Sequence, residues 1–260
     1  MAFIQLQFHS DALMMQVSVH VILPERATTM IGMQANGEST FKTMYLFHGL
    51  SDDHSIWMRR TSIERYASEY NIAVVMPSVG RSWYTDTVGG EKYLTFVTKE
   101  LPDKCRSFFK GMSERPEDNI VAGLSMGGYG AIKSALTCPE RFGMCASLSG
   151  ALDIAALDCL NPIAEWQCIF DHHMQSTTEL AGTQHDLFYL ADQLAEQGKP
   201  FPKTFIWCGT DDWLLDSNAR FSAHLTKLGV DHKYVESEGW HAWNWWDMHI
   251  QSALQYLIGS

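Results

Sequence analysis

The chain has 260 residues, of which 46% are hydrophobic and 19% are charged, a composition typical of a folded protein rather than a disordered one. Its net charge of −11 argues against binding to nucleic-acid phosphates or to anionic lipid. No run of about 18 apolar residues occurs, so no membrane span is expected. We therefore expect neither nucleic acid nor a membrane to be a partner of this protein.

The N-terminal residues alternate between apolar and polar, and they lack the basic start, apolar block and cleavage site of a signal peptide. The pattern predicts two strands, the second over residues 15–24, that pair as an antiparallel edge, with polar residues 34–40 supplying a turn. The six cysteines are scattered and lack metal-ligand spacing. We therefore expect buried free thiols and a cytoplasmic location.

From residue 44 onward the pattern changes to short, solid apolar runs, each followed by a turn residue. Runs of this kind are covered on both faces, which predicts a mostly parallel sheet flanked by helices. The predicted strands lie within residues 44–49, 72–78, 119–125, 205–209 and 232–237.

Helical periodicity predicts helices at 93–109, 126–136, 216–229 and 246–258. Pro102 must either open a new first turn or kink the first of these helices. Asp216 or Ser217 can cap the third helix, and Gly229 can end it.

No repeat or linker divides the chain, so a single domain over residues 1–260 is expected. Residues 153–184 are polar and irregular. They are most simply an excursion over the top of the sheet, with a small cap or none.

The stretch "VAGLSMGGYGA" places Ser125 in a G-x-S-x-G pattern between a predicted strand and a predicted helix. A serine on such a sharp turn stands clear of the backbone, and glycines are needed two residues to either side because side chains there would collide with the strand and helix. The first N–H groups of the helix point toward a developing oxyanion, so the Met126 amide is one candidate donor. The alternative reading is a tight turn without chemistry.

His48 and Gly49 follow another predicted strand, in "YLFHGLSDDHSIW". The second oxyanion donor of this type of site comes from the first strand-to-helix loop, and we assign it to the Leu50 amide. His48 itself is expected to hold the loop by hydrogen bonding rather than to act in catalysis.

A nucleophilic serine needs a base, and the base needs an orienting acid. Among the histidines after Ser125, only His241 lies in a glycine-flanked loop directly after a strand. Asp211 and Asp212 compete as the acid in "GTDDWLLD", because Asp216 is better explained as a helix cap. Spacing alone does not choose between Asp211 and Asp212.

The sequence resembles the bacterial tributyrin esterases of the esterase D group, which are relatives of S-formylglutathione hydrolase. The resemblance extends from about Phe3 to the C-terminus. It is carried by "HGLSDDHSIWMRRT", "VVMPSVGRSWYTDT", "VAGLSMGGYGAIKSAL", "SLSGALD", "WCGTDDWLLDSN" and "GWHAWNWWDMHIQSAL". It implies an α/β-hydrolase fold, no cofactor, and hydrolysis of short-chain acyl esters by a serine triad.

The resemblance also implies site residues. The acid of the group stands three positions after the glycine, which from Gly209 selects Asp212, and Ser125 and His241 carry over directly. Gly49 is a pocket candidate from its own position, because a glycine there lets the chain approach the substrate carbonyl. The resemblance further implies that the loop "GRSWYTDT" lines the acyl pocket, so Trp83 and Tyr84 are candidates for substrate contact. Their alternative role is in the core.

No metal is expected, because the neighbouring His172 and His173 on a loop rarely converge on one ion.

The expected activity is that of a serine carboxylesterase acting on a small-molecule acyl ester through an acyl-enzyme. A thioesterase of the S-formylglutathione hydrolase type is the alternative, followed by a binding module that has kept the fold. Relatives of this group are often oligomers, so a homo-oligomer is possible.

Overall fold

The computed structural model describes residues 1–25, 40–157 and 163–259. Its strands are β1 (Ala2–Ser10), β2 (Met15–Leu23), β3 (Thr43–Phe47), β4 (Ala73–Pro77), β5 (Asn119–Leu124), β6 (Met144–Leu148), β7 (Lys203–Gly209) and β8 (His232–Ser237). They form one sheet in the order β1-β2-β4-β3-β5-β6-β7-β8.

The pairing of β1 with β2 and of β2 with β4 is antiparallel, whereas every later pair in the sheet is parallel. This confirms the prediction of a mostly parallel sheet with an antiparallel N-terminal edge. The predicted turn at 34–40 lies, except for its last residue, outside the described residues.

The described α-helices are α1 (Ile56–Arg60), α2 (Ile63–Tyr70), α3 (Tyr93–Thr95), α4 (Leu101–Phe108), α5 (Met126–Thr137), α6 (Ile163–Ile169), α7 (Leu187–Glu196), α8 (Leu215–Lys227) and α9 (Trp243–Ile258). A π-helical turn, Phe96–Glu100, joins α3 to α4, and 3₁₀ turns lie at Pro116–Asp118, Ile154–Ala156 and Thr177–Leu180. None of these helices is long and apolar enough to cross a bilayer.

The two faces of the sheet bury separate apolar clusters. Along β5, Val121 belongs to the cluster shared with α4, α5, α7 and α8, whereas Ile120 and Ala122 belong to the cluster under α1, α2 and α9. Successive strand residues point to opposite faces, so a strand buried on both sides must be apolar throughout. The solid apolar runs of the sequence thus reflect helices on both faces.

The prediction of a helix cap at Asp216 or Ser217 is wrong. Helix α8 begins one residue earlier than predicted, with Leu214 at the N-cap position and Asp216 in the first turn, where its carboxylate pairs with Arg220. Gly229 follows the helix with φ +73°, as expected of a residue that ends a helix.

Pro102 lies in the first turn of α4, directly after the π-helical turn. A proline is tolerated there because the first amides of a helix have no intrahelical acceptor. Strand β6 (Met144–Leu148) is not among the predicted strands.

The cysteine prediction holds in part. Cys105, Cys138, Cys145 and Cys208 are buried free thiols. Cys168 is exposed on α6, and Cys159 lies outside the described residues.

The two-sided core generates a stability prediction. Val75 in β4 is fully buried, whereas Val88 is 41% exposed. We expect Val75→Ala to lower the free energy of unfolding by about 2 kcal/mol, because two buried methyl groups are lost and a cavity remains. Val88→Ala is the matched control and should cost less than about 0.5 kcal/mol. Urea unfolding measures both, and equal losses would contradict the burial pattern.

Candidate active site

Ser125 occupies the sharp turn between β5 and α5. Its backbone has φ +53° and ψ −121°, a conformation that non-glycine residues rarely adopt. Hydrogen bonds hold the turn: the Ser125 amide donates to the Leu148 carbonyl at 3.0 Å, and the Ser125 carbonyl accepts from the Tyr129 amide at 3.1 Å. The hydroxyl therefore projects from a fixed backbone at the C-terminal edge of the sheet.

The glycines that flank Ser125 permit the strand and the helix to approach closely. A Cβ on Gly123 would lie 2.4 Å from the Gly127 carbonyl oxygen, and one on Gly127 would lie 2.6 Å from the carbonyl oxygens of Phe47 and His48. Real Cβ atoms do not tolerate such distances from backbone. The predicted reason for the two glycines, collision with the neighbouring strand and helix, is confirmed.

Three side chains from separate loops form one hydrogen-bonded chain. His241 Nε2 lies 3.0 Å from Ser125 Oγ, and His241 Nδ1 lies 3.0 Å from Asp212 Oδ2. Ser125 follows β5, Asp212 follows β7 and His241 follows β8, so each stands at the carboxyl end of a parallel strand. The structure thus brings together the residues that the sequence proposed for nucleophile, acid and base.

The Asp212 carboxylate has no exposed surface, whereas the neighbouring Asp211 is exposed. Burial alone would raise the pKa of Asp212, but hydrogen bonds with His241, with the Leu214 amide and with Ser149 outweigh it and lower the pKa below its usual value. Asp212 is therefore held ionised beside the imidazole. Spacing could not separate these adjacent residues, but their burial does.

The loop after β3 is held through three consecutive carbonyl groups. The Phe47 carbonyl accepts from the Trp57 indole at 3.0 Å and the His48 carbonyl from the Tyr84 hydroxyl at 3.0 Å. The Gly49 carbonyl lies 2.7 Å from His48 Nδ1. The bond from His48 was expected, whereas no sequence pattern indicates the bonds from Trp57 and Tyr84.

The tautomer of His48 follows from its neighbours. Its Nε2 accepts from the Val79 amide at 3.0 Å, so the ring proton must be on Nδ1, which donates to Gly49. Burial lowers the pKa of His48 to about 4 and keeps the ring neutral. Because N–H and C=O of one trans peptide point in opposite directions, this bond also fixes the Leu50 amide.

The amides proposed to bind an oxyanion are both available. Among the described residues, neither the Leu50 amide nor the Met126 amide donates to another protein group. Met126 is the first residue of α5, where an amide has no intrahelical acceptor and the helix dipole favours negative charge.

Trp83 and Tyr84 are core residues rather than exposed walls of a pocket. Trp83 is 1% exposed, with its ring centroid 5.7 Å from that of Tyr129 and 5.1 Å from that of Trp166, and Tyr84 is fully buried. Neither side chain is exposed to solvent in this structure, and their contact with an acyl group stays a prediction. Gly49 is also buried, and its part in the site is the carbonyl that accepts from His48.

The excursion at 153–184 includes α6, which packs Trp166 onto Trp83 and is joined to the loop after β4 by the ion pair of Glu165 with Arg81. His172 and His173 are exposed there. Within the described residues, no group of three or more His, Cys, Asp or Glu side chains is arranged to hold a metal ion.

A protein-family model described as "Esterase: Putative esterase" matches residues 10–257. An acetyl esterase of Caldicellulosiruptor saccharolyticus is 30% identical over 263 aligned residues, which cover 99% of this chain and 98% of the relative.

Two solved structures from Staphylococcus aureus are also similar. A fluorophosphonate-binding serine hydrolase with substrate bound has a TM-score of 0.88 at 34% identity. The match covers 100% of this chain and 99% of the hydrolase chain. An S-formylglutathione hydrolase has a TM-score of 0.86 at 34% identity, covering 99% and 98% respectively. These comparisons support the broader part of the expected resemblance, which is similarity to esterases and serine hydrolases. The narrower resemblance to tributyrin esterases stays a prediction.

The environment of His48 generates a prediction about pH. The folded protein holds the pKa of this group at about 4, below the 6.5 of an unfolded chain, so its contribution to stability is present above pH 6.5 and is lost as the pH falls toward 4. The unmodified protein should lose about 2 kcal/mol of unfolding free energy through His48 between about pH 7 and about pH 4.5, and we expect His48→Asn to remove this part of the loss.

Urea unfolding at both pH values measures this difference. His173→Asn is the control, because His173 is exposed, and it should keep the full loss seen in the unmodified protein. An identical pH dependence in both variants would contradict a neutral, enclosed His48.

Proposed function

Because the chain belongs to the family described as "Putative esterase", we propose that it is a serine carboxylesterase that hydrolyses short-chain acyl esters. The observation that carries the proposal is the unbroken chain of hydrogen bonds from Ser125 through His241 to Asp212. Serine, imidazole and carboxylate in this order are the components of nucleophilic acyl transfer.

In the proposed mechanism, Ser125 Oγ attacks the ester carbonyl while His241 Nε2 takes its proton. Asp212 holds the Nδ1–H tautomer and stabilises the imidazolium that forms. His241 then gives the proton to the leaving alcohol, and an acyl group remains on Ser125. Water attacks this acyl-enzyme by the same route, releasing the acid and restoring the serine.

The negative charge of each tetrahedral intermediate falls on the former carbonyl oxygen. The Leu50 and Met126 amides are the proposed donors to it. Donors that are already oriented stabilise the transition state without reorganising, which is usually the largest contribution in sites of this kind. The hydrogen bonds that hold the Phe47, His48 and Gly49 carbonyls support this part of the proposal.

Thioester hydrolysis is the second candidate. The S-formylglutathione hydrolase of S. aureus, 34% identical over nearly the whole chain, favours it. The same three side chains could expel a thiolate instead of an alcohol, so the two activities differ in the leaving group and not in the steps at Ser125.

The first test is Ser125→Ala. We expect it to lower kcat on p-nitrophenyl acetate by about a millionfold, as removal of a triad nucleophile does elsewhere, and to abolish labelling by a fluorophosphonate probe. Near-normal turnover in the variant would refute the mechanism. Unmodified protein that takes up no probe would instead favour a binding module.

Substrate class is tested with the same pair of proteins. A carboxylesterase should show a higher kcat/KM for short-chain oxygen esters than for S-formylglutathione, with both activities dependent on Ser125. The reverse ranking would select the thioesterase.

The second test compares the two adjacent aspartates. Asp212→Asn should lower kcat by about a thousandfold or more, because an amide cannot hold the same tautomer of His241 or stabilise its charge. Asp211→Asn is the matched control and should change kcat less than about twofold, since Asp211 is exposed. Equal effects in both variants would remove Asp212 from its proposed role.

A further inference from the structure

An indole lies beside the proposed catalytic imidazole and is left half exposed. Trp213 directly follows Asp212 and is 51% exposed, and the centroid of its ring lies 5.3 Å from that of His241. Trp240, which directly precedes His241, is 49% exposed. Tryptophan is mostly buried in folded proteins, and exposed apolar surface beside a site is available to bind a ligand.

Which part of an ester lies beside Trp213 follows from the order in which bonds break. This step therefore rests on the proposed function. The acyl group stays on Ser125, whereas the alcohol oxygen takes its proton from His241 Nε2. The alcohol must therefore leave past the imidazole. An indole packed against that imidazole is close to the alcohol portion of an ester.

Charge around the same rim limits what the alcohol can carry. Residues 210–216 and 236–247 contain six Asp and Glu residues and no Lys or Arg. Of these, Asp211 and Glu238 are exposed, two residues or fewer from Trp213 and Trp240 respectively. An anionic leaving group would approach this rim against like charge.

From these observations we infer that Trp213 is the wall of an alcohol subsite, and that the subsite selects esters of uncharged alcohols bearing a flat ring. The ring stacks on the exposed indole face while the ester carbonyl lies at Ser125. Aromatic rings and pyranose rings both present a flat face of C–H and carbon to an indole, and this face is the chemistry that the subsite recognises.

The experiment measures the factor by which Trp213→Ala lowers kcat/KM for each of three esters. All three are acetates of primary alcohols, so they share the acyl group and have leaving groups of similar basicity. They are benzyl acetate, a methyl 6-O-acetylglucopyranoside and hexyl acetate, which has no ring. We expect the factor to be about fivefold larger for at least one ring-bearing ester than for hexyl acetate, the scale of one aromatic stacking contact.

Two further variants serve as controls. Trp213→Phe retains a ring and should recover most of the preference. Tyr189→Ala removes a 37% exposed aromatic residue on α7, outside the site, and should leave all three values unchanged. Trp213 is half exposed and belongs to neither apolar cluster, so the variants at this position are expected to fold.

The outcomes separate cleanly. A larger factor for the benzyl ester alone identifies an aryl alcohol, and one for the sugar ester alone identifies a glycosyl alcohol. Equal factors for all three esters would overturn the inference while leaving the esterase in place. Absence of Ser125-dependent hydrolysis of every acetate would overturn the proposed function itself.

Charge selection is measured with 4-carboxybenzyl acetate. At low salt its kcat/KM should be about threefold below that of benzyl acetate, and the deficit should shrink as salt is added. Equal values at low salt would overturn the selection against anions.

Discussion

The site depends on a backbone contact in which no side chain takes part. Helix α5 begins so close to the end of β3 that only a hydrogen atom fits on the Cα of Gly127. A Cβ there would lie 2.6 Å from the carbonyl oxygens of Phe47 and His48. This approach sets the first turn of the helix against the start of the loop that contains Gly49 and Leu50. A side chain at position 127 would separate the two proposed oxyanion donors whatever else were retained.

The rest of the molecule keeps that arrangement from relaxing. Buried donors hold three successive carbonyls of the β3 loop, and an enclosed, neutral imidazole supplies one of them. Of the non-glycine residues with positive φ in the described part of the chain, four surround this region: Trp83, Tyr84, Ser125 and Ser149. Strain of this kind persists only where surrounding contacts over-determine the backbone.

Local patterns in the sequence predicted the features that local physics decides. Solid apolar runs indicated a sheet covered on both faces, and the glycines around Ser125 indicated a tight turn. The order of strands and loops then placed His241 and the aspartates at the same edge of the sheet. These inferences needed only the period of a strand and the direction of a parallel sheet.

What could not be predicted depends on contacts between distant residues. Nothing local indicates that Trp57 and Tyr84 donate to neighbouring carbonyls, or that the ring of Trp83 packs against that of Trp166. Asp211 and Asp212 are alike in sequence and differ only in which side of a turn the fold buries. Asp216 resembled a helix cap, but the chain enters α8 at Leu214 and uses that carboxylate for an ion pair with Arg220.

The positive φ of Ser125 also limits the chemical repertoire that this scaffold can acquire by substitution. Cysteine has an unbranched Cβ and could take the same backbone angles, so a thiol nucleophile is accessible by a single replacement. Threonine offers the same hydroxyl as serine, but its branched Cβ is a genuine outlier at such angles. Substitution at position 125 can thus exchange oxygen for sulfur more readily than it can add one methyl group.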